Sequence, residues 1–80
     1  MNDQEWSVKS KKPEHGSEII FVKNVGIFVH YLRIVRSIDK KFRVYETILN
    51  SKTYKVMKFN LKIYKRKSEI QKFHEINIQF

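Results

Sequence analysis

Apolar and polar positions change rhythm several times along this chain, and the rhythm predicts where its elements lie. After a polar tail over 1–5, Trp6 and Val8 alternate with Ser7 and Lys9, a short strand signal. Lys12-Pro13-Glu14-His15-Gly16-Ser17 holds the chain's only proline and one of its two glycines, and reads as a loop. Glu18 to Lys23 (EIIFVK) is rich in strand formers and reads as a buried strand, so the first two strands make a hairpin.

Ile27 to Ile38 decides the rest of the fold. Its β-branched residues suit a strand, yet alternation fails on both parities. Projected at about 100° per residue, Ile27, Phe28, Tyr31, Leu32, Ile34, Val35 and Ile38 share one broad face. His30, Arg33, Arg36 and Ser37 fall opposite, and Val29 is the misfit. The spacing predicts an amphipathic helix over 27–38, with Asn24 as its N-cap. Arg33 and Arg36 would then sit near its C-terminal end, where cations suit the helix dipole.

Phe42 to Leu49 (FRVYETIL) reads as a strand, and Asn50-Ser51-Lys52 as a turn. From Lys55 to Tyr64, Met57, Phe59, Leu61 and Ile63 alternate with Lys58, Asn60 and Lys62. This gives a hairpin with one apolar and one basic face. A helix also fits 52–67 apart from Phe59, but Tyr54, Val56, Phe59, Ile63 and Tyr64 favour the strand. Ser68-Glu69-Ile70-Gln71 resembles the capping box that starts a helix, while Ile76, Ile78 and Phe80 alternate like a strand. Residues 68–80 are therefore expected as a turn or short helix with an extended tail. The expected fold class is α+β: a small antiparallel sheet with one amphipathic helix packed on it. Its parts are a polar tail over 1–5, a single domain over 6–64, and a basic turn with C-terminal extension over 65–80.

Eighty residues make one small domain. A chain this short buries only roughly 60% of its unfolded surface. It has no cysteine, so no disulfide or thiolate–metal staple compensates. That absence fits a reducing compartment. The N-terminus carries Asp3 and Glu5 and no apolar run, which argues against a secretion or transit signal. The most apolar stretch, Ile19 to Ile38, is broken by Lys23, Asn24, His30, Arg33 and Arg36. A membrane span needs about 20 mostly apolar residues, so no span is expected.

Charge adds the strongest functional signal. The chain carries +9 overall, yet Arg33 to Lys67 alone holds twelve bases against Asp39 and Glu46. Phe, Tyr, Met, Ile, Asn and Lys supply half of all residues, Ala is absent, and Lys outnumbers Arg thirteen to four. An AT-rich genome produces such a bias, so the total charge carries little weight. Codon drift does not explain clustering, and clustered positive charge points to a polyanion.

Catalytic patterns are missing. His15, His30 and His74 have no ligand spacing such as HExxH, no glycine-rich phosphate loop occurs, and the eight carboxylates are scattered. No enzyme activity, metal, cofactor or small-molecule substrate is expected. Two basic arrangements remain. The first is His30, Arg33, Arg36, Lys40, Lys41 and Arg43 on the helix and the turn after it. Arginine forks onto phosphate, and lysine adds point charge. Its plain alternative is a solvated helix face. The second is the hairpin ladder Lys52, Lys55, Lys58, Lys62 and Lys65, whose plain alternative is lysine protecting an edge strand from aggregation. Tyr31, Tyr45, Tyr54, Phe59 and Tyr64 are candidates to stack on bases, or simply to fill the core.

The order of parts, with HYLRIVRSIDKK followed by FRVYETILNSKTYKVMKFNL, resembles the second half of the eukaryotic-type large-subunit ribosomal protein family L twenty-two. Tyr31-Leu32 matches that family's helix, and Phe42-Arg43-Val44-Tyr45 the start of its next strand. Asn50-Ser51-Lys52 matches its turn, and Tyr54 with Phe59 its closing strand. The match runs from about Trp6 to Tyr64. Tyr45 stands where the family has Trp, the helical bases are displaced to Arg33 and Arg36, and the family's first strand and helix have no counterpart. The resemblance implies a structural constituent of the large ribosomal subunit, cytoplasmic and ribosome-bound. Its partners would be ribosomal RNA and neighbouring ribosomal proteins.

Arg33, Arg36, Lys40, Lys41 and Arg43 are the leading phosphate contacts, with Lys52 and Lys55 next. The alternative is a small viral or phage-type basic protein that binds DNA or a host protein, which an apolar patch outside the core would favour. A third class, a membrane-surface peptide, would need the apolar face of a helix over 27–38 to lie unburied.

Overall fold

Each described strand runs antiparallel to the one before it, because the connections are too short for anything else. The computed structural model describes residues 5–12 and 17–78, so the Pro/Gly loop and Phe80 lie largely or wholly outside them. The strands are β1 (Ser7–Lys12), β2 (Glu18–Val25), β3 (Phe28–Arg36), β4 (Phe42–Asn50) and β5 (Val56–Tyr64). They form one five-stranded sheet in sequence order, followed by the short helix α1 (Lys67–His74). The architecture is a small α+β domain.

The helix expected over Ile27–Ile38 is instead the central strand β3, and Asn24 lies within β2 rather than at a helix start. Alternation fails there because both faces of β3 are apolar. Leu32 and Ile34 are fully buried on one face, while Val29, Tyr31 and Val35 lie on the other. Eight of the twelve residues over 27–38 are apolar, so a helical projection gathers them on one arc without a helix being present. The β-branched content was the informative signal.

The register builds the core row by row. Phe21 pairs with Leu32, Ile19 with Ile34, Ile34 with Val44, and Phe42 with Tyr64. These residues face α1 and the segment after it, which add Ile70, Ile76 and Ile78 to the same cluster, with Trp6 packed at its edge. The extension over 65–80 thus supplies part of the core of the domain expected over 6–64. Among the described residues, no polar or charged residue is buried, so the core is uniformly apolar.

Local chemistry fixes the ends. Gly26 opens the two-residue turn between β2 and β3 at φ +60°, a region that glycine enters without strain. In the β4–β5 loop the Asn50 carboxamide accepts hydrogen bonds from the Lys52 and Thr53 N–H groups, at 2.8 and 3.2 Å, as the turn chemistry predicts. The helix starts two residues earlier than the Ser68-to-Gln71 pattern suggests. Arg66 is its N-cap, and the Glu69 carboxylate accepts from the Arg66 N–H at 3.0 Å.

Candidate nucleic-acid interface

Antiparallel pairing decides which basic residues meet. Arg36 pairs with Phe42, and Phe42 with Tyr64, so the end of β3, the β3–β4 turn and the end of β5 share one end of the sheet. There Arg36, Lys40, Lys65, Arg66 and Lys67 surround a cleft of about 350 Å³ in which, among the described residues, the buried Phe42 is the sole apolar lining residue. Among the described residues no carboxylate lines it. Five cations in one cleft repel one another, and a phosphate backbone would relieve that repulsion.

The turn is built so that its own acid does not neutralise the cleft. Asp39 accepts hydrogen bonds from the Ser37 hydroxyl and from the Lys41 N–H at 3.1 Å, and it pairs with Arg43 at 3.4 Å. The Ser37 bond, then the Lys41 bond, hold the Asp39 carboxyl down to about 2, so it is ionised and already occupied at neutral pH. Lys40 takes a positive φ of 64° at the crest of this turn and is exposed. Glu69, the nearest acid in sequence, is engaged with the Arg66 backbone. Among the described residues no ion pair involves the five cleft cations.

The expected phosphate contacts therefore separate into three groups. Arg36 and Lys40 join the cleft, and Lys41 is exposed on the adjoining turn. Arg33 and Arg43 lie on the sheet face away from α1, where Arg33 pairs with Glu18 and stacks 5.1 Å from the Tyr45 ring centre. Lys52 and Lys55 sit in the β4–β5 loop at the opposite end of the sheet, roughly 30 Å away along a nine-residue strand. The lysine ladder also divides. Lys58 faces Glu46 at 3.5 Å, and Lys62 lies 4.5 Å from the Phe73 ring centre. Sequence reasoning left Lys65, Arg66 and Lys67 off the leading set. The run itself was visible, but its meeting with Arg36 follows only once 28–36 is a strand.

A second concavity, about 910 Å³, lies between the sheet and α1 and is lined in part by Trp6, Lys23, His30, Glu46, Phe73 and His74. Burial pushes both histidines below the usual imidazole range, helped at His30 by Lys23 and opposed by Glu46. His74 Nε2 shares a hydrogen bond with the Tyr64 hydroxyl at 3.3 Å. Among the described residues no cluster of three or more His, Cys, Asp or Glu is placed to hold a metal. No helix of the described residues is long and apolar enough to cross a membrane. The membrane-surface reading required a helix over 27–38, and that segment is β3.

Comparison with known proteins gives no match to a family model, to a curated protein or to a solved structure. The Tyr31-Leu32 pair, on which the ribosomal resemblance placed a helix, lies on β3.

Proposed function

We propose that this chain is a non-enzymatic RNA-binding protein that holds the phosphate backbone in the cleft between the β3–β4 turn and the β5–α1 junction. The observation that carries this reading is the set of five cations with, among the described residues, no lining carboxylate. Arginine supplies forked contacts from Arg36 and Arg66, and Lys40, Lys65 and Lys67 supply point charge. Backbone contacts of this kind give affinity without base selection. The more specific form of the proposal is a constituent of the large ribosomal subunit, cytoplasmic and ribosome-bound. Its support is the Phe42-to-Tyr45 strand and the Asn50-Ser51-Lys52 turn, without the helix.

High-salt sedimentation of cell extract, with and without RNase, tests both forms. Release from a fast-sedimenting particle only after RNase supports the ribosomal form. Migration as a free protein in untreated extract refutes it. Failure of the purified chain to bind any RNA refutes RNA binding as well. The second reading is a small viral or phage-type protein that binds DNA or a host protein. What favours it is the exposure of Met57, Phe59 and Ile63 outside the core. A preference for duplex DNA in competition would select it.

A further inference from the structure

The sheet face away from α1 carries a second apolar layer that no described element covers. Its centre consists of two cross-strand rows, Tyr31–Thr47–Phe59 and Arg33–Tyr45–Leu61. On β5, Val56, Met57, Phe59 and Ile63 are more than half exposed, and Leu61 nearly so. An antiparallel sheet tolerates one wet face when that face is polar, and this one is not. With these five side chains about half exposed or more, β5 alone offers a patch on the order of 500 Å², near the upper end for a monomer's largest patch. Partly exposed neighbours such as Ile20, Tyr31 and Tyr45 bring the face toward the roughly 800 Å² per partner of a stable interface.

We propose that this face joins two copies of the chain, stacked sheet on sheet as a homodimer. Charge supports a second copy as the occupant. The two arginines on the face are already matched within the chain, Arg33 by Glu18 and Arg43 by Asp39, so covering them strands no unpaired charge. One further cation reaches this face: Lys9 lies 4.9 Å from the Tyr31 ring centre, and its long stem lets the ammonium turn to the rim. The five cleft cations lie at the sheet's end, which stacking leaves open. The same pairing disfavours nucleic acid here, because phosphate would have to compete with Glu18 and Asp39. Aliphatic Val56, Met57, Leu61 and Ile63 also offer bases no ring to stack on.

The edge of β5 sets the mode. Lys58 and Lys62 flank Asn60 on its α1-side face. Antiparallel pairing of two β5 edges about Asn60 would set Lys58 of one copy against Lys62 of the other, twice. Lysine thus guards the edge and leaves the face open, and the two copies meet face to face.

Sedimentation equilibrium of the full, RNase-treated chain at high salt tests this without RNA, so it stands or falls separately from the proposed function. The expected result is a mass that rises with concentration from one chain to a plateau at two. Phe59→Lys with Leu61→Lys changes side chains already exposed in the single chain. It should keep the folded circular-dichroism spectrum and weaken dimerisation on the order of 100-fold. Asn60→Lys should leave a stacked dimer intact and would disrupt an edge-paired one. A wild-type chain that stays single at every concentration overturns the proposal, as does a mass that climbs without a plateau. Loss of the dimer in Asn60→Lys overturns the stacked mode. A double variant that dimerises normally also overturns it, and so does one that loses RNA binding while the wild type is equally monomeric.

Discussion

Replacing Lys65 and Lys67 together by glutamine should flatten the salt dependence of RNA binding. These two residues line the cleft but leave the helix start untouched, because the cap uses the Arg66 N–H and the Glu69 carboxylate. Each neutralised phosphate contributes about 0.7 to the logarithmic salt slope on single strands and about 0.9 on duplex. Five cleft cations then give a slope of roughly −3.5 to −4.5. Raising salt from about 50 to 200 mM should weaken wild-type binding roughly 100- to 500-fold. With three contacts left, the slope becomes roughly −2 to −3 and the same change costs only about 20- to 40-fold. Fluorescence anisotropy of a labelled RNA across a salt series measures both slopes. Lys52→Gln with Lys55→Gln, at the far end of the sheet, removes equal charge outside the cleft and should leave the slope as in wild type. Equal flattening in both double variants would show that net charge governs binding, and an unchanged slope in the cleft variant would show that RNA lies elsewhere.

Other perturbations probe the scaffold. Ile70→Ala empties a fully buried position between α1 and the sheet and should cost about 2–5 kcal/mol in urea unfolding; a loss below about 1 kcal/mol would mean that α1 does not close the core. Burial lowers the pKa of His74 and of His30, so the unfolded chain binds more protons below the ordinary value of 6.5. Stability should therefore fall as pH drops through 6.5, and His74→Phe should weaken that dependence; a flat unfolding midpoint from neutral pH to below 6.5 contradicts the assignment. Gly26→Ala meets open space but must hold φ +60°, so backbone strain alone should cost about 1 kcal/mol by thermal or urea melting. A stabilised variant would show that the turn is not left-handed there.

Much of this architecture is legible in the sequence wherever one face of an element is polar. β5 alternates because its α1-side face carries Lys58, Asn60 and Lys62, and the Asn50 turn announces itself through its carboxamide. β3 conceals itself because strands pair on both of its edges and apolar residues occupy both of its faces. A period of two cannot appear without a polar face to mark it. The candidate site suffered from the same error. A helix over 27–38 puts Arg33 and Arg36 side by side, whereas a strand sends them to opposite faces. Only the strand brings Arg36 to Lys65, Arg66 and Lys67. Charge runs are visible in one dimension, but their meeting depends on register.

The placement of Ile70, Ile76 and Ile78 after the last strand has a consequence for biosynthesis. The five strands pair in sequence order, so each hairpin can form as soon as its second strand leaves the ribosome. The inner face stays bare until α1 and the three isoleucines emerge. At ordinary elongation rates, Ile78 follows Tyr64 by on the order of a second. For that interval the nascent sheet exposes apolar side chains on both surfaces, and aggregation competes with closure of the core.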